Sequence, residues 1–149
     1  MCVRCDYPAL LQAAGLAPTK NRLNVLETIG NHGRPLRAQA IYTAVRAQAP
    51  INRVTVYRIL DLLVVRGLAE RISGGGRAFF YGMAPNCNHQ RHPHFYCRRC
   101  GGMECLNPES LSIDTAELDR LLPGTIQGVE IRVDGICPTC LEERSEASS

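Results

Sequence analysis

The sequence predicts an α+β fold made of two small domains, a mainly helical first half and a second half rich in cysteine and histidine. Apolar residues recur at helical spacing through the first half, and the composition changes after Pro85. Residues 1–80 carry 11 basic and 4 acidic side chains, whereas residues 81–149 carry 6 basic and 10 acidic ones. The first half is therefore suited to contact with a polyanion.

Composition argues against a membrane or secreted protein. Of the 149 residues, 45% are hydrophobic and 21% are charged, and no apolar stretch approaches the ~20 residues of a membrane span. The N-terminus lacks the features of a secretory signal, so we expect a cytoplasmic protein. Eight cysteines in that compartment favour metal binding, because disulfides are disfavoured there. Cys2 and Cys5 have no second pair nearby, and we expect them to have no function.

Local signals predict the elements of the first domain, which we place at residues 1–82. Helices are expected over residues 9–14, from Thr19 to about Gly30, from Pro35 to Pro50, and from Asn52 to Gly67, with Thr19 and Asn52 as N-caps. Two apolar runs around a triple glycine, residues 74–76, then predict a β-hairpin. Helices followed by such a hairpin describe a winged helix-turn-helix, which is a DNA-binding fold.

The second domain is expected to span residues 87–149, after a hinge at residues 83–86. The segments HFYC and GMECL predict strands around a turn, and GVEIRVDG alternates as a third strand does. A helix is expected over residues 110–122, and the polar tail from about residue 143 is expected to be disordered.

Two CxxC pairs give the strongest chemical signal. A pair of cysteines separated by two residues directs both sulfurs toward one ion, and two pairs supply the four thiolates that structural zinc prefers. The pairs are Cys97 with Cys100 and Cys137 with Cys140. Four thiolates leave no open coordination position, so the site is expected to be structural and the protein not an enzyme. Redox-active CxxC pairs are the alternative.

A second cluster precedes the first pair. His92 and His94 share a face of an extended segment, and Cys87 lies close enough in sequence to fold back toward them. With one carboxylate they form a reasonable zinc site, although surface histidines are the alternative. We expect Cys105 to be a small core residue.

The segments TVYRILDLLVVRGL, HPHFYCRRCG and CPTC resemble the ferric uptake regulator (Fur) family of bacterial metal sensors. The resemblance implies a homodimer with an N-terminal winged helix and a C-terminal α/β dimerisation domain that contains the four-cysteine zinc site. It also implies a sensor site that is most similar to that of zinc-sensing members, with Glu70, Cys87, His92 and His94 as ligands. The histidine that iron and manganese sensors place before the third helix is absent, because Pro35 begins that segment.

The fourth helix is expected to enter the major groove of DNA. Arg58 can donate to guanine, and Tyr57 can pack on a thymine methyl group, as in similar family members. The residues expected at the DNA interface are Thr19, Arg22, Arg53, Thr55, Tyr57, Arg58 and Arg77.

Together with these patterns, the resemblance implies a zinc-responsive repressor that binds an inverted-repeat operator as a homodimer and controls zinc uptake genes. Double-stranded DNA and a second copy of the chain are its expected partners, without a membrane or a small-molecule substrate. Sensing of iron, manganese or peroxide is the alternative within the family. A thiol redox switch using Cys87 and Cys105 or a zinc enzyme is the alternative outside it.

Overall fold

The computed structural model describes residues 5–147, which form two compact units, a first that ends at Arg91 and a second that begins at His92. Cys2, Ser148 and Ser149 lie outside the described residues. The first unit contains four helices and three strands within the described part: α1 (Tyr7–Ala13), α2 (Lys20–Asn31), β1 (Leu36–Arg37), α3 (Ala38–Gln48), α4 (Arg53–Val65), β2 (Ala69–Ser73) and β3 (Phe79–Met83). The units divide after Arg91, whereas the sequence placed the hinge at residues 83–86.

Caps determine where the helices of the first unit begin and end. The Thr19 hydroxyl accepts from the N–H of Arg22, and the Asn52 side chain accepts from the N–H of Thr55. Gly67, with φ of 73°, ends α4 in a left-handed conformation that favours glycine. The predicted caps are confirmed. The third helix begins at Ala38 and not at Pro35, because Leu36 and Arg37 pair with β3 as the short strand β1, which was not expected.

The core of the first unit lies between the helices and a three-stranded antiparallel sheet with strand order β1-β3-β2. Helices α2, α3 and α4 each bury a row of aliphatic side chains, and the largest fully buried ones are Leu26, Ile41, Leu60 and Leu63. Three helices followed by a hairpin that pairs with β1 form the winged helix-turn-helix that the sequence predicted.

The second unit is a small α/β arrangement. Its described elements are β4 (His94–Cys97), β5 (Met103–Cys105), α5 (Thr115–Leu121), β6 (Arg132–Gly135) and α6 (Pro138–Ala147). Strand β4 is central, antiparallel to β5 and parallel to β6. No helix among residues 5–147 is both long enough and apolar enough to cross a membrane.

Three expectations for the second unit differ from the structure. Residues 143–147 are helical, because Pro138 occupies the first turn of α6 and helix-forming residues follow it. Helix α5 begins only at Thr115, because the Asp114 side chain accepts from the N–H of Glu117. The third strand, β6, begins at Arg132 and so occupies only the end of the predicted segment.

Candidate metal centre and nucleic-acid interface

Four cysteine sulfurs converge in the second unit, all within 4.8 Å of one another: Cys97, Cys100, Cys137 and Cys140. The sulfurs of Cys97 and Cys140 are 3.9 Å apart, as are those of Cys100 and Cys137. Four thiolates at the ~2.3 Å zinc–sulfur distance stand about 3.8 Å apart in a tetrahedron. The donor set and the two separations of 3.9 Å therefore fit the tetrahedral coordination of a zinc ion.

Two separate turns present these sulfurs. Cys97 ends β4, and the chain then turns so that the N–H of Gly101 donates to the carbonyl of Cys97. Gly101 has φ of 73°, which explains glycine at this position. Cys137 immediately precedes α6, and Cys140 lies in its first turn. A metal ion bound by these four sulfurs would link the hairpin of β4 and β5 to the C-terminal helix.

The electrostatics of the cluster favour a cation. The pKa of Cys97 is lowered to about 6, mainly because the backbone N–H groups of Cys100 and Cys137 donate to its sulfur. The pKa of Cys140 is raised to about 12 by its contact with the Cys137 thiol and by burial. Four crowded sulfurs cannot all ionise alone, whereas a divalent cation stabilises every thiolate.

Arg99 supports the cluster and was not expected from the sequence. Its guanidinium Nη1 donates to the carbonyl of Cys140 at 2.7 Å, which ties the first CxxC turn to the start of α6. The only signal for Arg99 in the sequence was its position between the predicted ligands Cys97 and Cys100. The acceptor of its hydrogen bond is a backbone carbonyl 41 residues later, which sequence patterns do not identify.

A second group of metal-binding side chains lies in the same unit and consists of His92, His94 and Cys105, with one ligand atom of each within 4.8 Å of the others. The imidazole centroids are 4.6 Å apart. His94 is buried, as is the Nε2 atom of His92. The two histidines are thus together as predicted. Cys105 is exposed beside them, so its expected place in the core is wrong.

The other two predicted sensor ligands belong to the first unit. Cys87 is exposed in a turn in which Asn86 and His89 exchange backbone hydrogen bonds. Glu70 lies on β2, opposite Gly82 of β3, and is half-buried. Neither is a member of a group of three or more potential ligands among the described residues.

Helix α4 has the surface expected of a recognition helix. Val56, Ile59 and Leu60 are buried against the core, whereas Tyr57 and Arg58 are exposed. Thr55 is half-buried, and Arg77 is exposed in the turn between β2 and β3. The predicted base-contacting residues are thus available to a ligand.

Two predicted phosphate contacts also have structural roles. Thr19 caps α2, and Arg22 Nη1 donates to the carbonyl of Ala17 at 3.0 Å. These bonds hold the start of α2 in place, so the Thr19 hydroxyl and the Arg22 guanidinium are partly engaged within the protein.

Arg46 is a further exposed basic residue, and it contacts the same tyrosine as the predicted phosphate contact Arg53. Its Nη1 donates to the Tyr42 hydroxyl at 2.7 Å, and the Arg53 guanidinium lies 5.3 Å from the centre of the Tyr42 ring. Tyr42 thus contacts two exposed guanidinium groups, that of Arg46 on α3 and that of Arg53 on α4. The spacing of four residues between Tyr42 and Arg46 on α3 was a signal that the sequence analysis missed.

Comparison with known proteins now decides the family. The model of the ferric uptake regulator family matches residues 13–120. The chain belongs to the ferric uptake regulator family. Within the Fur family it is 30% identical to the transcriptional regulator FurA of Mycobacterium tuberculosis over 139 residues, which cover 91% of this chain and 90% of the relative.

Two solved Fur-family structures resemble this fold. The ferric uptake regulator of Vibrio cholerae is 22% identical, with a TM-score of 0.71, and the match covers 89% of this chain and 100% of that one. A structure described as holo XcZur is 27% identical, with a TM-score of 0.59, covering 90% and 93% of the two chains. The chain is accordingly a metal-responsive transcriptional regulator of the Fur family, whose members bind DNA as dimers.

Proposed function

We propose that this Fur-family regulator is a zinc-responsive repressor that binds an inverted-repeat operator as a homodimer and controls zinc uptake genes. The observation that carries the proposal is the pairing of His92 and His94 beside the thiol of Cys105. Imidazole and thiolate ligands together suit zinc better than manganese(II) or iron(II). The similarity to a protein described as Zur supports it.

Two metal sites with separate roles are proposed. Cys97, Cys100, Cys137 and Cys140 hold a structural zinc that stabilises the second unit. A sensor zinc is bound by His92 and His94, with Cys87 and Glu70 as further ligands on the strength of the sequence spacing. Zinc at this site favours the conformation in which its ligands are brought together, so the DNA-competent population rises.

For operator contact we propose Arg58 and Tyr57 as base-contacting residues, with Thr55 beside them. Arg53 and Arg77 are proposed phosphate contacts, together with Thr19 and Arg22. These residues lie in the basic half of the chain, and phosphate contacts of this kind make affinity strongly salt-dependent.

The test is operator binding as a function of buffered free zinc. Wild-type protein should bind tightly only with zinc, whereas His92→Ala and Cys87→Ser should retain the structural zinc and lose the zinc response. Glu70→Ala should lose it more mildly, because water can replace a carboxylate ligand. Cys137→Ser is the contrasting variant, since it should lose the structural zinc and be destabilised.

An iron-responsive repressor is the second candidate function, and the similarity to the ferric uptake regulation protein of Bacillus subtilis favours it. The same titration with iron(II) and manganese(II) under anaerobic conditions separates the two. A Cys87→Ser protein that responds at the wild-type zinc concentration would remove Cys87 from the sensor. A response to iron(II) but not to zinc would replace the zinc proposal with the iron one.

A further inference from the structure

Cys105 lies beside the two histidines of the sensor cluster, although the sequence analysis gave it no metal role. We propose that Cys105, His92 and His94 together bind zinc, with the Cys105 thiolate as the third protein ligand. The proposal rests on the juxtaposition of these three side chains within the second unit. This site contains the same two histidines as the proposed sensor site. Only its role in regulation rests on the proposed function.

The pairing of two strands brings the three ligands together. His94 of β4 is the direct partner of Cys105 of β5 in the antiparallel register. Residues directly opposite each other have Cβ atoms about 4.5–5.5 Å apart on the same face of the sheet. His92 precedes His94 by two residues and therefore shares that face, and the two imidazole centroids are 4.6 Å apart.

The backbone around the histidines is held from both sides. The N–H of Leu106 donates to the carbonyl of Pro93 at 2.9 Å, and the N–H of His94 donates to the carbonyl of Ile131 at 3.0 Å. His92 also precedes a proline, which favours the extended conformation. Ligands on such a frame lose little conformational freedom when a metal binds.

The donor set is chemically suited to zinc. Zinc–nitrogen and zinc–sulfur bonds of about 2.0–2.3 Å place ligand atoms some 3.3–3.8 Å apart, so side-chain rotation alone brings atoms now within 4.8 Å into range. Three ligands leave one tetrahedral position for a further group or water. One thiolate with two imidazoles favours zinc or cobalt(II) over manganese(II).

Cobalt(II) spectroscopy on the full-length protein tests the proposal. The four-cysteine site is first loaded with one zinc per chain, and cobalt(II) is then titrated. Wild-type protein should bind one cobalt with a sulfur-to-metal charge-transfer band. Cys105→Ser should lose much or all of that band and bind cobalt at least about tenfold more weakly, because even outer-shell partners change metal affinity about 10–100-fold.

Cys87→Ser is the matched control, because Cys87 is an exposed thiol near the histidines in sequence and lies outside the four-cysteine site. If Cys105→Ser loses the band while Cys87→Ser keeps it, Cys105 is the thiolate ligand, and if each variant loses part of the band, both thiolates are ligands. If Cys105→Ser keeps both the band and the affinity of the wild type, the proposal is wrong.

A second measurement applies to the wild type and therefore holds even if Cys105→Ser does not fold. The exposed Cys105 thiol should be alkylated in the absence of sensor zinc and protected in its presence, as mapped by peptide mass spectrometry. Equal alkylation under both conditions overturns the proposal. Operator binding is used in neither test, so failure of the proposed function and failure of this site are distinguishable.

Discussion

Arg58 and Arg77 are both exposed, one on helix α4 and the other in the turn of the β2–β3 hairpin. A guanidinium on a recognition helix can form a bidentate contact with guanine, whereas one in a wing mainly neutralises phosphate. Arg58→Ala should cost about 1–3 kcal/mol on the operator and relax specificity. Arg77→Ala should weaken binding to all DNA and lower the salt slope by about one.

Fluorescence anisotropy with operator and random duplexes, at several salt concentrations and saturating zinc, measures both effects. Arg66→Ala is a control for the loss of charge, since Arg66 lies at the C-terminal end of α4 and its Nη1 donates to the carbonyl of Ala14, which follows α1. Indistinguishable effects of Arg58→Ala and Arg77→Ala on the two duplexes would contradict this division of roles.

At the scale of elements, the contact between α1 and α2 depends on Gly30. A Cβ atom at Gly30 would lie 2.3 Å from the Tyr7 hydroxyl oxygen and 2.7 Å from its ring, and Tyr7 is buried. Alanine is ordinarily favoured over glycine in a helix by about 1 kcal/mol, but overpacking of a core costs about 1–3 kcal/mol. Gly30→Ala should therefore destabilise the protein despite its better helix propensity.

The measurement is the midpoint of urea denaturation at fixed protein and zinc concentrations. Gly33→Ala is the matched control, because nothing lies within 4 Å of its Cβ position, and it should be neutral or slightly stabilising. Gly30→Ala combined with Tyr7→Ala should show less than the sum of the two single effects. An unchanged midpoint for Gly30→Ala alone would refute the close packing.

The elements themselves were predictable to different degrees. Helices α2 and α4 follow from Thr19, Asn52 and Gly67, because caps act through hydrogen bonds and conformations within a few residues. Helix α6 was missed because its residues are polar and carry no apolar stripe. Its first turn contains Cys140, so its position depends on a cluster whose other half lies about forty residues earlier.

At the scale of the whole molecule, the second unit exposes apolar side chains that a second copy can cover. Leu121 is 70% exposed and Leu122 is 52% exposed, at the end of α5. Burial of a leucine side chain contributes about 1.5–3 kcal/mol to the free energy of association. In a symmetric dimer each substitution is present in both copies, so its effect occurs twice. Leu121→Glu should therefore raise the dimer dissociation constant by about tenfold or more.

Analytical ultracentrifugation over a range of protein concentrations measures that constant. Val65→Glu is the matched control, because Val65 is 80% exposed on α4 in the first unit and should leave the dimer intact. Equal dissociation constants for Leu121→Glu and wild type would exclude α5 from the interface.

The sequence by itself determined the winged helix-turn-helix, the four-cysteine cluster and the pairing of His92 with His94, because each depends on local spacing, capping or turn geometry. Only the tertiary structure decided that Cys105 faces His94, that Arg99 reaches Cys140, and that the leucines at the end of α5 are exposed. These features depend on strand register and packing between segments distant in sequence, which local hydrogen bonds and side-chain periodicity do not specify.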